Sequence, residues 1–105
     1  MYKNYVAEYY FRNIIYNMYK YLAEYFASLL FVYIVLATGN PLAIGATLSL
    51  VLLFTTNVSK GYANPSVSIV MASAGQISTS DLVPYVLAQI FGGLTALEIY
   101  KRYQL

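Results

Sequence analysis

Of the 105 residues, 60% are hydrophobic and only 10% charged, well below the roughly one-quarter charged residues of soluble domains. The chain holds no Cys, His or Trp, which excludes thiol nucleophiles, thiolate or imidazole metal sites, disulfides and Ser-His-Asp chemistry. A net charge of +2 carried by scattered cations lacks the clustered Lys and Arg of a nucleic-acid surface. The composition is that of an integral membrane protein; no metal, cofactor or catalytic constellation is expected, because no nucleophile or acid–base pair with a partner emerges.

The first twenty residues mix Tyr with Lys3, Glu8, Arg12 and Lys20, so a short apolar leader is not expected there. Asn13, Asn17, Lys20 and Glu24 follow helical spacing, with aromatic and aliphatic residues around the rest of the turn. Residues 1–20 therefore read as an amphipathic helix at the membrane surface, separate from the first span or continuous with it. An aromatic-rich segment packed on a neighbour is the alternative. Tyr suits the interface, with an apolar ring and a polar hydroxyl.

Three segments approach the about 20 apolar residues that cross roughly 30 Å of hydrocarbon. The first is expected at 21–37, interrupted only by Glu24; the second, after the link TGNP, at 42–58; the third at 82–100. Pro84 near the start of the third suits a first helical turn. Small residues recur at spacing four: Ala23 and Ala27, Gly45 and Ser49, and Ala88, Gly92 and Ala96. Such rows let helix backbones approach closely in lipid, so a bundle is expected.

Between the second and third spans lies KGYANPSVSIVMASAG. The apolar run 66–74 gives roughly 14 Å of helix, about half a membrane. Asn64 is a good N-cap, Pro65 a good first helical residue and Gly75 a good stop. The segment reads as a re-entrant half-helix whose N-terminus aims amide hydrogens at mid-membrane, or as a surface loop with a capped turn. Re-entrant backbone at that depth must be buried in protein or line a wet cavity. Donors without full charge suit water or a hydroxylated solute, and the positive dipole end repels cations.

NVSKGYANPSVS resembles the first Asn-Pro-Ala loop of the major intrinsic protein family, the aquaporins and glycerol facilitators, usually H-[IV]-S-G-x-H-x-N-P-A-V-[TS]. LAEYFASLLFVY, PLAIGATLSLVLLF and VPYVLAQIFGGLTA resemble that family's first, second and third spans, in its order and spacing. The resemblance implies an all-α membrane fold equivalent to one repeat: three spans plus a half-helix over residues 21–105. It implies pore-lining roles for Asn64, Pro65, Ser66, Tyr62 and Val67, and a constriction at Ile44. Glu24 and Gln89 become buried polar residues that brace the re-entrant backbone, a role that the cost of unpaired polar groups inside spans supports independently. An ion pair between Glu24 and Lys20 is the alternative for the former, and Glu98 is expected to pair at an interface with Lys101 or Arg102. Ser66 replaces the usual Ala, Tyr62 the usual His, and Ala27-Ser28 a common Gly-Thr. Val67 stands where the second repeat of the family carries a filter Arg.

The family has two inverted repeats and these residues hold one. An antiparallel homodimer would restore the inversion and pass water or small uncharged solutes. A non-conducting scaffold built from parallel copies is the alternative, and pairing with a different single-repeat chain is a third. Three spans place Lys3, Arg12, Lys20 and Lys60 on one side of the bilayer and Lys101 and Arg102 on the other, a modest bias compatible with dual topology.

Overall fold

A computed structural model describes residues 2–103. Four helices follow in order: α1 Tyr2–Thr38, α2 Pro41–Ser59, α3 Pro65–Ser73 and α4 Thr79–Arg102. Three of them, α1, α2 and α4, are long and apolar enough to cross a membrane; α3 has 9 residues and reaches only about 14 Å. The fold is thus all-α, with three spans and one half-length helix, as one repeat of the family would be.

Local chemistry sets most of the helix ends. Both Asn-Pro pairs start a helix in the same way. Asn40 Oδ1 accepts the amide hydrogens of Leu42 (2.9 Å) and Ala43 (3.3 Å), and Asn64 Oδ1 accepts that of Ser66 (2.8 Å). In each case Pro sits at the first helical position, where its missing amide hydrogen costs nothing and its φ is already helical. The half-helix accordingly begins one residue before the expected 66 and ends at Ser73, with Gly75 at φ +79° reversing the chain.

α4 starts earlier than 82. Ser78 caps it by accepting the Asp81 amide hydrogen, and Asp81 lies in the first turn, where a carboxylate complements the helix dipole. Pro84 is consequently inside the helix, not in its first turn. Its ring frees the carbonyl of Ser80, and Ser80 is exposed, so that carbonyl can turn to solvent.

α1 runs without a break through residues 20 and 21. Its 37 residues give about 55 Å of rod, which accounts for the longest dimension of the molecule, 57 Å. The polar row found in the sequence does not all face water: Asn13 is exposed, Asn17 and Lys20 are half-buried and Glu24 is fully buried. Beyond Asn17 the row turns toward other helices, because Lys20 bonds Asp81 and Glu24 bonds the loop between α2 and α3.

α1 is the central element. It packs on α2 and on α4, α3 packs on α4, and no helix contact joins α2 to α3 or α4 among the described residues. α1 and α4 run parallel, and their paired residues lie 60 to 70 positions apart, in the same order along both helices: Lys20 with Asp81, Tyr21 with Asp81, Glu24 with Gln89 and Tyr25 with Thr95. Gly92 makes this packing close. A Cβ there would lie 2.3 Å from the carbonyl oxygen of Tyr25 and 3.1 Å from the amide nitrogen of Leu29, so the site admits no side chain. On α4 the buried Gly92 and Ala96 face this contact, with Ala88 half-buried, whereas the buried Ala27 of α1 packs with Val51 and Ala63 on the α2 side. Gly45 departs from the expected packing role: it is exposed, with nothing within 4 Å of where its Cβ would be. Its row points away from α1, on a side of α2 that no helix covers among the described residues.

Candidate functional site

The site is the loop between α2 and α3 and the polar side chains beneath it. Three consecutive loop residues, Gly61, Tyr62 and Ala63, are buried, and Lys60, Gly61 and Ala63 have positive φ. The chain is therefore coiled tightly and cannot satisfy its own amides. Gly61 is required where it stands: at φ +67° a Cβ would also approach Thr55 Oγ1 to 3.0 Å.

Glu24 supplies the missing acceptors. Its Oε1 accepts the Ala63 amide hydrogen (2.8 Å) and a hydrogen from Gln89 Nε2 (2.7 Å). Its Oε2 accepts the Tyr62 amide hydrogen (3.2 Å) and the Ser59 hydroxyl (2.5 Å). A fully buried carboxylate is tolerable only with such a complete donor set. The carboxylate accepts and cannot donate, so it fixes the Gln89 amide with Nε2 inward. Nε2 also donates to Ser68 Oγ on the half-helix (2.7 Å), while the buried Oε1 of Gln89 has no partner. The Ser28 hydroxyl donates to the Ala63 carbonyl (3.3 Å), and the Tyr85 hydroxyl to that of Ser59 (2.8 Å), one of the carbonyls a helix end leaves unpaired. Side chains of α1 and α4 thus hold a loop that belongs to neither.

This holding fixes the depth of Asn64. Lys20 Nζ and Asp81 pair at 2.8 Å, and the Tyr21 hydroxyl donates to Asp81 at 2.8 Å; Thr38 ends α1 at the other side. Charged groups and Tyr hydroxyls belong at the membrane boundary, which puts about 27 Å of α1 between those levels. Ser28, bonded to Ala63, lies about 12 Å from the Lys20 level. Asn64 follows directly, at a level roughly midway along α1 between Lys20 and Thr38. Its Oδ1 is engaged by the cap, so its Nδ2 is the donor left over.

The predicted residues divide. Glu24 and Gln89 lie together in the network above, and the ion pair of Glu24 with Lys20 is not formed, because Lys20 bonds Asp81. Asn64, Ser66 and Val67 are exposed and Pro65 half-buried at the start of α3, on the uncovered side of the repeat. Tyr62 departs from its expected pore-lining place: it is 7% exposed and packs with Ile77 and Tyr85, its ring centroid 6.1 Å from that of Tyr85. The chain folds its ring inward because the backbone at 61–63 is itself buried. Ile44 lies half-buried in the first turn of α2, about 22 Å along the helix from Ser59, so this chain does not bring it beside Asn64. Glu98 approaches Lys101 at 4.0 Å, both exposed. Ser59, Ser68, Asp81 and Tyr85 carry no expected role in the sequence reading, and Ser28 appears there only with Ala27 in place of Gly-Thr. The one available signal was the row Asp81, Tyr85, Gln89, a polar stripe at helical spacing inside an apolar span.

The sequence profile of the major intrinsic protein family matches residues 13–104. Glycerol uptake facilitator protein-like 6 of Lactiplantibacillus plantarum is 32% identical over 95 residues, which cover 82% of this chain and 44% of that protein. Aquaporin-8 of Notomys alexis is 40% identical over 60 residues, 57% of this chain and 23% of that protein. Aquaporin Z of Brucella melitensis is 36% identical over 61 residues, 58% of this chain and 27% of that protein. The chain spans less than half the length of these curated relatives, and no solved structure matches it significantly. With a half-length helix capped by Asn-Pro between apolar spans, and a family profile that covers most of its length, the chain is an integral, multi-pass membrane protein that belongs to the major intrinsic protein family.

Proposed function

We propose that this repeat forms half of a channel for water or small uncharged solutes, and that an inverted second copy of the chain supplies the other half. The observation that supports this reading is the Glu24 network, which holds the loop before Asn64 at a level midway along the span of α1; at that level in a bilayer α3 would begin near mid-membrane. A half-helix that stops there leaves the remaining depth to another chain segment. The amide hydrogens at its N-terminus and Asn64 Nδ2 present donors and a partial positive charge, which orient a hydroxylated solute and disfavour cations. The side that carries Asn64, Ser66 and Val67 is uncovered in this chain, and Leu50, Leu53 and Phe54 of α2 are also exposed. Family membership and relatives named as aquaporins and a glycerol uptake facilitator support a channel-type function. Ile44, in the opposite half of the membrane from α3, then narrows the path with an apolar side chain and no arginine.

Stopped-flow light scattering on proteoliposomes tests this. Asn64→Asp keeps the cap, since Asp is as good an N-cap as Asn, but replaces the donor with a charge. Water flux above that of empty liposomes, reduced at least tenfold in Asn64→Asp, is expected. Equal flux with and without protein would overturn the proposal. One observation favours the scaffold reading instead: residues 4–14 of α1 are all exposed, with Tyr5, Tyr9, Tyr10 and Phe11 each more than 60% so. A parallel, non-conducting array held by that segment would give no flux.

A further inference from the structure

We propose that the cleft where α1, the end of α2 and the start of α4 meet binds the headgroup of an anionic phospholipid, with an acyl chain in the apolar groove beside it. The cleft, of about 240 Å³, is lined by Lys20, Lys60, Gln76, Ser78 and Asp81 among others. The groove, of about 450 Å³, runs between α1 and α2 along Tyr19, Leu22, Ala23 and Phe26. Tyr16 and Val58 line both, so the two adjoin. The order of their polarity matches the bilayer: the cleft lies at the Lys20–Asp81 level, the boundary derived above. The groove continues from it toward the membrane centre, since Leu22, Ala23 and Phe26 follow Lys20 along α1.

The charge selects the headgroup. Two ammonium groups face one carboxylate, and that carboxylate is bound to Lys20 at 2.8 Å. Lys60 donates to the carbonyl oxygen of Gln76 and makes no ion pair among the described residues, where the pairs are Glu8–Arg12, Lys20–Asp81 and Glu98–Lys101. That bond leaves two of the three Lys60 N–H donors for a phosphate. Lys60 also occupies φ +73°, a conformation that glycine adopts without strain. The chain thus keeps a lysine where its backbone favours another residue.

The separation of strain from charge provides the test. The purified full chain in detergent is titrated with dioleoyl phosphatidylglycerol and dioleoyl phosphatidylcholine, and bound lipid is counted by native mass spectrometry. Phosphatidylglycerol is expected to be retained preferentially, and Lys60→Gly to cut that preference about fivefold with thermal stability unchanged or raised. Ala23→Leu, which fills the groove, is expected to lower retention of both lipids. Undiminished preference in Lys60→Gly, or an equal loss in Lys101→Met at the far end of α4, would overturn the proposal. Displacement of phosphatidylglycerol by an equal concentration of glycerol phosphate would show an anion site without an acyl-chain groove, and would overturn it too.

Discussion

Glu24→Gln changes one oxygen for an amide in a side chain of the same shape, and the structure dictates where the damage falls. The carboxylate receives four donors, two on each oxygen. A glutamine offers one acceptor oxygen and an NH₂ group. With the oxygen at the Oε1 position, Ala63 and Gln89 keep their acceptor. The new NH₂ then faces the Ser59 hydroxyl, which can rotate and accept, and the Tyr62 amide hydrogen, which cannot. The opposite placement strands Ala63 instead, because the Gln89 amide can then turn its unpartnered Oε1 toward the new NH₂. One buried backbone donor left unpaired costs about 1–3 kcal/mol, and the surviving bonds lose the strengthening that a charged acceptor gives; a total of about 3 kcal/mol follows. This loss is local to the loop, so amide hydrogen exchange followed by mass spectrometry in nanodiscs is the assay. The Tyr62 and Ala63 amides should exchange roughly a hundredfold faster in the variant, with α4 changed far less. Unaltered exchange at both amides would refute the role assigned to Glu24.

Further predictions concern the frame around this loop. Gly92→Ala places a methyl 2.3 Å from a backbone oxygen, so α1 and α4 must part by about 1 Å; a loss of about 3 kcal/mol is expected in thermal unfolding. Gly93→Ala meets only Val32 Cγ2 at 3.5 Å, an ordinary contact, and should leave stability unchanged or higher. Equal behaviour of the two variants would contradict the close approach at Gly92. Tyr85→Phe removes the donor to the Ser59 carbonyl and should cost about 1–2 kcal/mol, read as a lower melting temperature in detergent.

What could be read from sequence was what is local. Asn40-Pro41 and Asn64-Pro65 mark helix starts because the cap is made within three residues of the chain, and the shortness of 66–74 is a matter of counting. Glu24 and Gln89 follow from the family resemblance, and the cost of a carboxylate and an amide inside apolar runs supports the same role independently. Their partners were harder. Asp81 reads as a residue outside the third span until α4 is registered against α1, and that offset depends on the approach at Gly92. Tyr62 and Gly45 show the same limit: side chain type and spacing indicate that a position is special, but the direction it faces is decided by elements distant in the sequence. Pro84 lies inside α4 for a local reason, since the Ser78 cap two turns earlier outweighs a proline whose freed carbonyl can reach solvent.

The central claim is that two inverted copies meet at the Asn64 ends of their half-helices, and distances between single spin labels test it directly. The chain has no cysteine, so Ser66→Cys and Thr38→Cys each carry one label per protomer, measured by pulsed electron paramagnetic resonance in liposomes. Inversion about mid-depth brings the two position-66 labels within about 20 Å and holds the two position-38 labels at least about 30 Å apart, on opposite faces of the bilayer. A parallel assembly separates labels only laterally, so the same distance at both positions would contradict the account.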